Sequence, residues 1–170
     1  MNIEKDRVVS FIYELRITNA AGESIQKVTK SRPLKIVYGH GGILEPFEKR
    51  LLGLCAGDKF EFSLQSKDAY GAYNEKAIVE LDKSVFTDEA SLDEETLEVG
   101  SYFPMETEAG IPFNGKILEI TPTRVKMDFN HPLAGQDLYF KGEIVEVREA
   151  TISEIETGQV ERRQGKPKKP

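Results

Sequence analysis

Nothing in the 170 residues approaches the 18 or more consecutive apolar positions that a membrane-spanning helix needs. The opening stretch, Met1-Asn2-Ile3-Glu4-Lys5-Asp6-Arg7, lacks the apolar segment of a secretory signal, so a soluble, cytoplasmic protein is expected. Cysteine is nearly absent as well. The single Cys55 excludes an internal disulfide framework, and with only His40 and His131 beside it there is no zinc spacing such as a paired CxxC. Neither a metal nor a cofactor is expected. Also missing are a Ser or Cys with a plausible His base, a phosphate-binding glycine loop followed by Lys, and a carboxylate pair set by a motif. Hydrolysis and phosphoryl transfer lose ground accordingly. Basic clustering is confined to the last ten residues, with five Lys/Arg against one Glu, so no phosphate-neutralising face is available. Nucleic acid and membranes are not expected partners, and the chain is expected to be monomeric.

What is present suits a folded protein of one or two domains, since 39% of the residues are hydrophobic and can build a core. Val9, Phe11, Tyr13, Leu15 and Ile17 alternate with Ser10, Ile12, Glu14, Arg16 and Thr18, the period of a strand with one apolar face. Asn19-Ala20-Ala21-Gly22 supplies turn residues, and residues 24–28 read as the returning half of a hairpin. An extended Pro33-Leu34-Lys35-Ile36-Val37 leads into the turn Gly39-His40-Gly41-Gly42. A short helix over residues 46–54 follows, with Phe47, Leu51 and Leu54 on one face, Pro46 in its first turn and Gly57 at its exit. Phe60, Phe62 and Leu64, and later Leu138, Phe140, Gly142 and Ile144, form two more strand faces.

Residues 73–130 read as a unit of their own. They hold 13 Asp/Glu against 5 Lys/Arg, with a helical turn over 92–97 and strands over 102–107, 112–120 and 125–129. Turns at Glu108-Ala109-Gly110 and Thr121-Pro122-Thr123 separate the strands. Its 58 residues, without metal or disulfide, lie near the lower limit of independent stability, so mobility relative to the rest is expected. Thr151 and Glu154 stand at capping-box spacing ahead of a short helix over 152–157 that stops at Gly158. The final residues, 156–170 taken as a segment, are expected to form a disordered tail.

The stretch GHGGILEPFEKRLLGLCAGDKFEF at 39–62, DAYG at 68–71 and NHPLAGQDLYF at 130–140 resemble the FKBP-type prolyl isomerases. Nearly sixty residues separate the last two motifs, where simple members have a short flap, which is similar to the branch carrying an insert-in-flap domain. The resemblance covers about residues 1–155. It implies an α+β fold: a bent antiparallel sheet wrapped over the one short helix, discontinuous over 1–72 and 131–155, with a small, mostly β insert over 73–130. It implies peptidyl-prolyl cis-trans isomerisation in unfolded or partly folded, proline-containing polypeptides, with chaperone activity from the insert.

Carried over by position, the resemblance implies a pocket of Tyr13, Ile25, Gln26, Ile36, Ile43, Leu44, Phe47, Ala69, Tyr70, Leu133 and Phe140. Phe47 would form its floor, Phe140 would close it, Leu133 would line the rim, and the Leu44 N–H would donate to a substrate carbonyl. Leu34 pairs with Ile36 in the same comparison. Two positions depart from the family. Gln26 stands where many members have an acid, which implies weakened turnover. Residues 156–170 hold neither His nor Cys, so the nickel-binding tail of some members is not carried over.

The pocket suits the reaction. Rotation about an X-Pro amide breaks no bond but meets a barrier of about 18–20 kcal/mol from resonance. The twisted amide has lost that resonance and is less dipolar, so a water-poor apolar cavity favours it relative to water. Phe11, Phe60 and Phe62 read as plain core, His40 and His131 as residues that order their turns, and Cys55 as a small packed hydrophobe. In the insert, Tyr102, Phe103, Met105, Ile111 and Phe113 are the expected contacts for unfolded chains, although some of them must form its core. The competing reading is a holdase with weak or lost isomerase activity, and a weaker one is metal handling by surface carboxylates and the two histidines.

Overall fold

The alternation that opens at Val9 becomes the central strand of a sheet in the computed structural model, which describes residues 1–86, 97–107 and 109–161. Strand β1 (Arg7–Ile17) is followed by β2 (Ser24–Val28) and β3 (Leu34–Val37), helix α1 (Glu45–Leu51) and β4 (Lys59–Leu64). β5 (Ile78–Asp82), β6 (Tyr102–Glu106), β7 (Pro112–Ile120) and β8 (Arg124–Asp128) come next, then β9 (Leu138–Glu149) and α2 (Ile152–Thr157). Two compact units result: Met1–Gly71 together with the chain from Gly135 onward, and Ala72–Ala134. The charge and turn pattern predicts the second crossing near Asn130; the observed unit extends to Ala134.

In the first unit β9 pairs with β1 along its full length, from Arg7 opposite Glu149 to Ile17 opposite Leu138. On the other edge of β1, β3 pairs with the first half and β2 with the second. β4 pairs with the outer edge of β9. Register shifts at Ser10/Phe11 and at Leu15/Arg16 add local twist, which bends a long strand. Val9, Phe11 and Leu15 are buried on the predicted face, but Val8 and Ser10 are buried too, so the first half of β1 is covered on both sides.

Helix α1 is shorter than the Phe47, Leu51, Leu54 spacing suggests. Gly53 takes a left-handed φ of +80° and ends it, leaving Leu54 outside. Gly57, expected at the exit, instead serves the turn into β4, its N–H donating to the Ile144 carbonyl at 2.7 Å. Glu45 and Glu48 in the first turn and Lys49 and Arg50 in the last complement the helix dipole.

The predicted capping box of α2 is present: Thr151 Oγ1 accepts from the Glu154 N–H at 3.2 Å, and Glu154 Oε2 accepts from the Thr151 N–H at 2.9 Å. Order extends past the point where the tail was expected to begin. Thr157 is helical and Gly158 ends α2 at φ +67°, both as the cap spacing predicts, and beyond them the Glu161 N–H donates to Glu154 Oε1 at 3.0 Å. The reason is Glu154 itself, a fully buried carboxylate that also receives both arms of the Arg148 guanidinium at 2.7 and 2.8 Å. The rest of the expected tail, 162–170, lies outside the described residues.

The second unit is a four-stranded antiparallel sheet in the order β5-β8-β7-β6. The three strands predicted here are found, β7 with the expected bounds and β6 and β8 with ends shifted by one residue, and β5 is an addition to them. The core consists of Phe86, Ile117, Val125 and Met127, with Leu81, Leu97, Phe103, Met105, Ile120 and Phe129 partly buried against it. The helical turn predicted over 92–97 falls, apart from Leu97, outside the described residues.

Candidate functional site

Because side chains alternate along a strand, Phe11, Tyr13 and Leu15 share one face of β1. That face, with Phe140 from β9 and Phe47 from α1, forms one aromatic cluster. The Phe47 ring lies 4.7 Å from Phe140, 5.1 Å from Phe62, 5.6 Å from Phe11, 5.7 Å from Phe60 and 5.8 Å from Tyr13, mostly edge to face. Gly142 lies opposite Tyr13 on one side and Phe60 on the other, and a side chain there would collide with the Ile12 carbonyl and the Phe60 ring. Glycine leaves room for the Phe60 ring against β9.

Above this cluster is a cavity of about 160 Å³. It is lined by Phe11, Tyr13, Leu15, Gln26, Leu34, Gly42, Ile43, Leu44, Phe47, Tyr70 and Phe140. Its polar side-chain groups are two phenols and a carboxamide. The Tyr13 hydroxyl donates to Gln26 Oε1 at 3.2 Å. Partial burial, and then Tyr70, push the Tyr13 phenol above its ordinary range, so it stays protonated at neutral pH.

Two turns bring the remaining groups into place. The turn at residues 39–42 is tied to α1 by the Gly39 N–H, which donates to Glu48 Oε1 at 2.7 Å, and to the start of β1 by His40 Nε2 against Asp6 Oδ1 at 2.6 Å. Asp6 itself holds a left-handed φ of +64°. This confirms His40 as a residue that orders its turn and delivers Gly42, Ile43 and Leu44 to the cavity. Leu44 is also the N-cap of α1, a position whose N–H has no intrahelical acceptor. Tyr70 follows a single 3-10 turn at Ser66–Asp68, anchored by the Ser66 N–H donating to Asp137 Oδ1 at 2.8 Å.

Of the residues expected here, the fold gathers Tyr13, Gln26, Ile43, Leu44, Phe47, Tyr70 and Phe140 around the cavity. The others are placed differently. Ile25 is 42% exposed and does not line it, because neighbours on β2 face opposite ways and Gln26 takes the inward position. Ile36 is buried in the core behind Gly42. Ala69 closes the 3-10 turn through its backbone, its N–H donating to the Ser66 carbonyl at 3.1 Å. Leu133 belongs to the second unit, where its N–H donates to His131 Nδ1 at 3.1 Å. Phe11, whose spacing alone marks it as plain core, and Leu15 and Gly42 also line the cavity. Phe11 and Leu15 share the β1 face with Tyr13, and that period-two spacing was the signal available.

In the second unit, Tyr102 and Ile111 are well exposed, at 49% and 62%. Phe103 and Met105 instead pack on the unit's core, since β6 alternates and its other face holds Tyr102, Pro104 and Glu106. Phe113 is half-buried against Phe129, with ring centres 5.3 Å apart. Val99, Tyr73 and Val85 are further well-exposed apolar side chains of this unit.

Comparison with known proteins gives a consistent result. A family model described as FKBP-type peptidyl-prolyl cis-trans isomerase matches residues 1–101. Proteins named FKBP-type peptidyl-prolyl cis-trans isomerase SlyD are similar over 160 residues, or 94% of this chain. The one from Haemophilus influenzae is 40% identical with 80% of its length covered, that from Vibrio cholerae 39% with 76%, and that from Escherichia coli 38% with 78%. Among the described residues no helix is long and apolar enough to cross a membrane.

Proposed function

The chain belongs to the FKBP-type peptidyl-prolyl cis-trans isomerases and resembles SlyD, and from that premise we propose that the aromatic cavity of the first unit is where the prolyl bond turns. The observation that carries this reading is a small, uncharged cavity floored by Phe47 and Phe140 and bordered by the hydroxyls of Tyr13 and Tyr70. Proline enters over Phe47, the Leu44 N–H donates to a carbonyl of the bound peptide, and the phenols orient the chain. The apolar lining offers little to a planar, dipolar amide compared with water, and less is lost on twisting. Each 1.36 kcal/mol of that difference is about tenfold in rate.

The substrates proposed are unfolded or partly folded polypeptides in the cytoplasm, a setting in keeping with one unpaired cysteine. The second unit is proposed to hold such chains through exposed Tyr102, Ile111 and Val99, its acidic charge keeping the protein in solution. Exchange spectroscopy on Ala-Pro and Phe-Pro tetrapeptides tests the cavity: wild type accelerates exchange, and Phe47→Ala or Tyr70→Ala loses most of it. Retention of full turnover by both variants would move the site elsewhere.

A further inference from the structure

We infer that Gln26 sets the charge selectivity of this cavity, so that it admits peptides whose residue before proline is acidic; the inference rests on the cavity being the isomerase site. Every side chain lining the cavity is uncharged, and the polar ones are the Tyr13 and Tyr70 phenols and the Gln26 carboxamide. Gln26 is the lining residue at which strand geometry brings an exposed polar side chain from the edge strand β2 to the cavity, opposite Leu15. Its Oε1 is occupied by the Tyr13 hydroxyl, which leaves the Nε2 donor hydrogens to meet an acceptor.

The charged neighbours on these strands point the other way. Lys27 alternates with Gln26, and Glu14, which alternates with Tyr13, is bound to Ser24 Oγ at 2.8 Å and Arg16 at 3.1 Å. A carboxylate arriving beside the proline therefore meets the Gln26 amide hydrogens rather than like charge. Burial keeps the Tyr13 phenol from adding a negative charge of its own.

The test compares kcat/KM for Glu-Pro, Ala-Pro and Lys-Pro tetrapeptides. Wild type should treat the acidic and basic peptides alike, within about threefold. Gln26→Glu has nearly the same shape and still accepts from Tyr13, but it replaces the amide donor with a negative charge. It should lower Glu-Pro relative to Lys-Pro by on the order of tenfold, and about 1 M salt should shrink the change. Gln26→Met, neutral but without the amide hydrogens, should also lower Glu-Pro relative to Lys-Pro, by less than Gln26→Glu does and with little response to salt. A wild type that already prefers Lys-Pro tenfold, or a Gln26→Glu ratio equal to wild type while Phe47→Ala has lost turnover, overturns the inference alone. Full turnover by both Phe47→Ala and Tyr70→Ala instead overturns the site assignment, and the inference with it.

Discussion

Phe47 is both core and cavity floor, because the side chain that touches Phe11, Phe60, Phe62 and Phe140 also forms the surface on which a proline would sit. Stability and turnover are therefore coupled at this residue. Truncation to Ala should cost about 3–5 kcal/mol in denaturant unfolding, while Phe47→Leu should cost less and separate folding from catalysis. Gly142 is coupled in the same way through Phe60. Gly142→Ala must push both the Ile12 carbonyl and the Phe60 ring, so destabilisation of about 1–3 kcal/mol or more is expected, together with a lower melting temperature. This dual use explains which residues were legible. Motif positions such as Phe47, Tyr70 and Phe140 could be read one by one, whereas Phe11 has the same spacing and chemistry whether it fills a core or lines a cavity. Ile25 and Gln26 were both expected at the site, yet adjacent strand residues cannot face the same way. Only the pairing of Gln26 with Leu15 decides between them.

Elements were legible where a repeating period ran long enough, as in β1 and β9, and less so where local stops competed. The apolar spacing through Leu54 outlasts α1 because Gly53, not Gly57, breaks it. β5 went unread because its run, Ile78-Val79-Glu80-Leu81-Asp82, does not keep a clean alternation and gains its strand form from pairing with β8. α2 was predicted from its cap, but the Arg148 partner of Glu154 lies on β9 and could not be inferred from spacing. That pair makes a pH prediction. The Arg148 guanidinium, helped by the Thr151 and Glu161 N–H groups against the effect of burial, holds the Glu154 carboxyl at about 2, below its ordinary 4.5. A carboxyl depressed on folding contributes stability above its unfolded value and loses it as pH falls through the folded one. Its contribution should be complete above about pH 5 and fade toward pH 2. With Arg148 about a fifth exposed, Glu154→Gln should cost on the order of 2 kcal/mol at pH 7. Urea unfolding of the two proteins should show that gap closing as the solution is acidified from pH 5 to about 2.

At the scale of the whole molecule, the second unit is inserted in the first by two crossings of the chain, and the insertion has its own local closure. Asn130 Oδ1 accepts from the Asn74 N–H at 2.9 Å while its Nδ2 donates to the Asn74 carbonyl at 3.0 Å and to Asp128 Oδ1 at 2.7 Å. The outgoing and returning strands are thus stitched within the unit, which has a core of its own around Ile117 and Met127. A unit closed in this way can be removed with little penalty to the body that carries the cavity, since loop-closure entropy changes slowly with length. Replacing residues 72–134 by a short Gly/Ser linker should therefore leave the first unit folded and turnover of a tetrapeptide within about threefold of wild type, because a tetrapeptide is too short to use a second binding surface. A long unfolded chain behaves differently. If held by Tyr102, Ile111 and Val99, it presents its prolines at an effective concentration in the millimolar range for a short connection. Excision should then slow catalysed refolding of a proline-limited protein by on the order of a hundredfold, and the triple replacement of those three side chains by Ser should reproduce much of that loss with the unit still in place. Equal losses in the peptide and refolding assays would mean that the insert supports the cavity itself and does not capture chains for it.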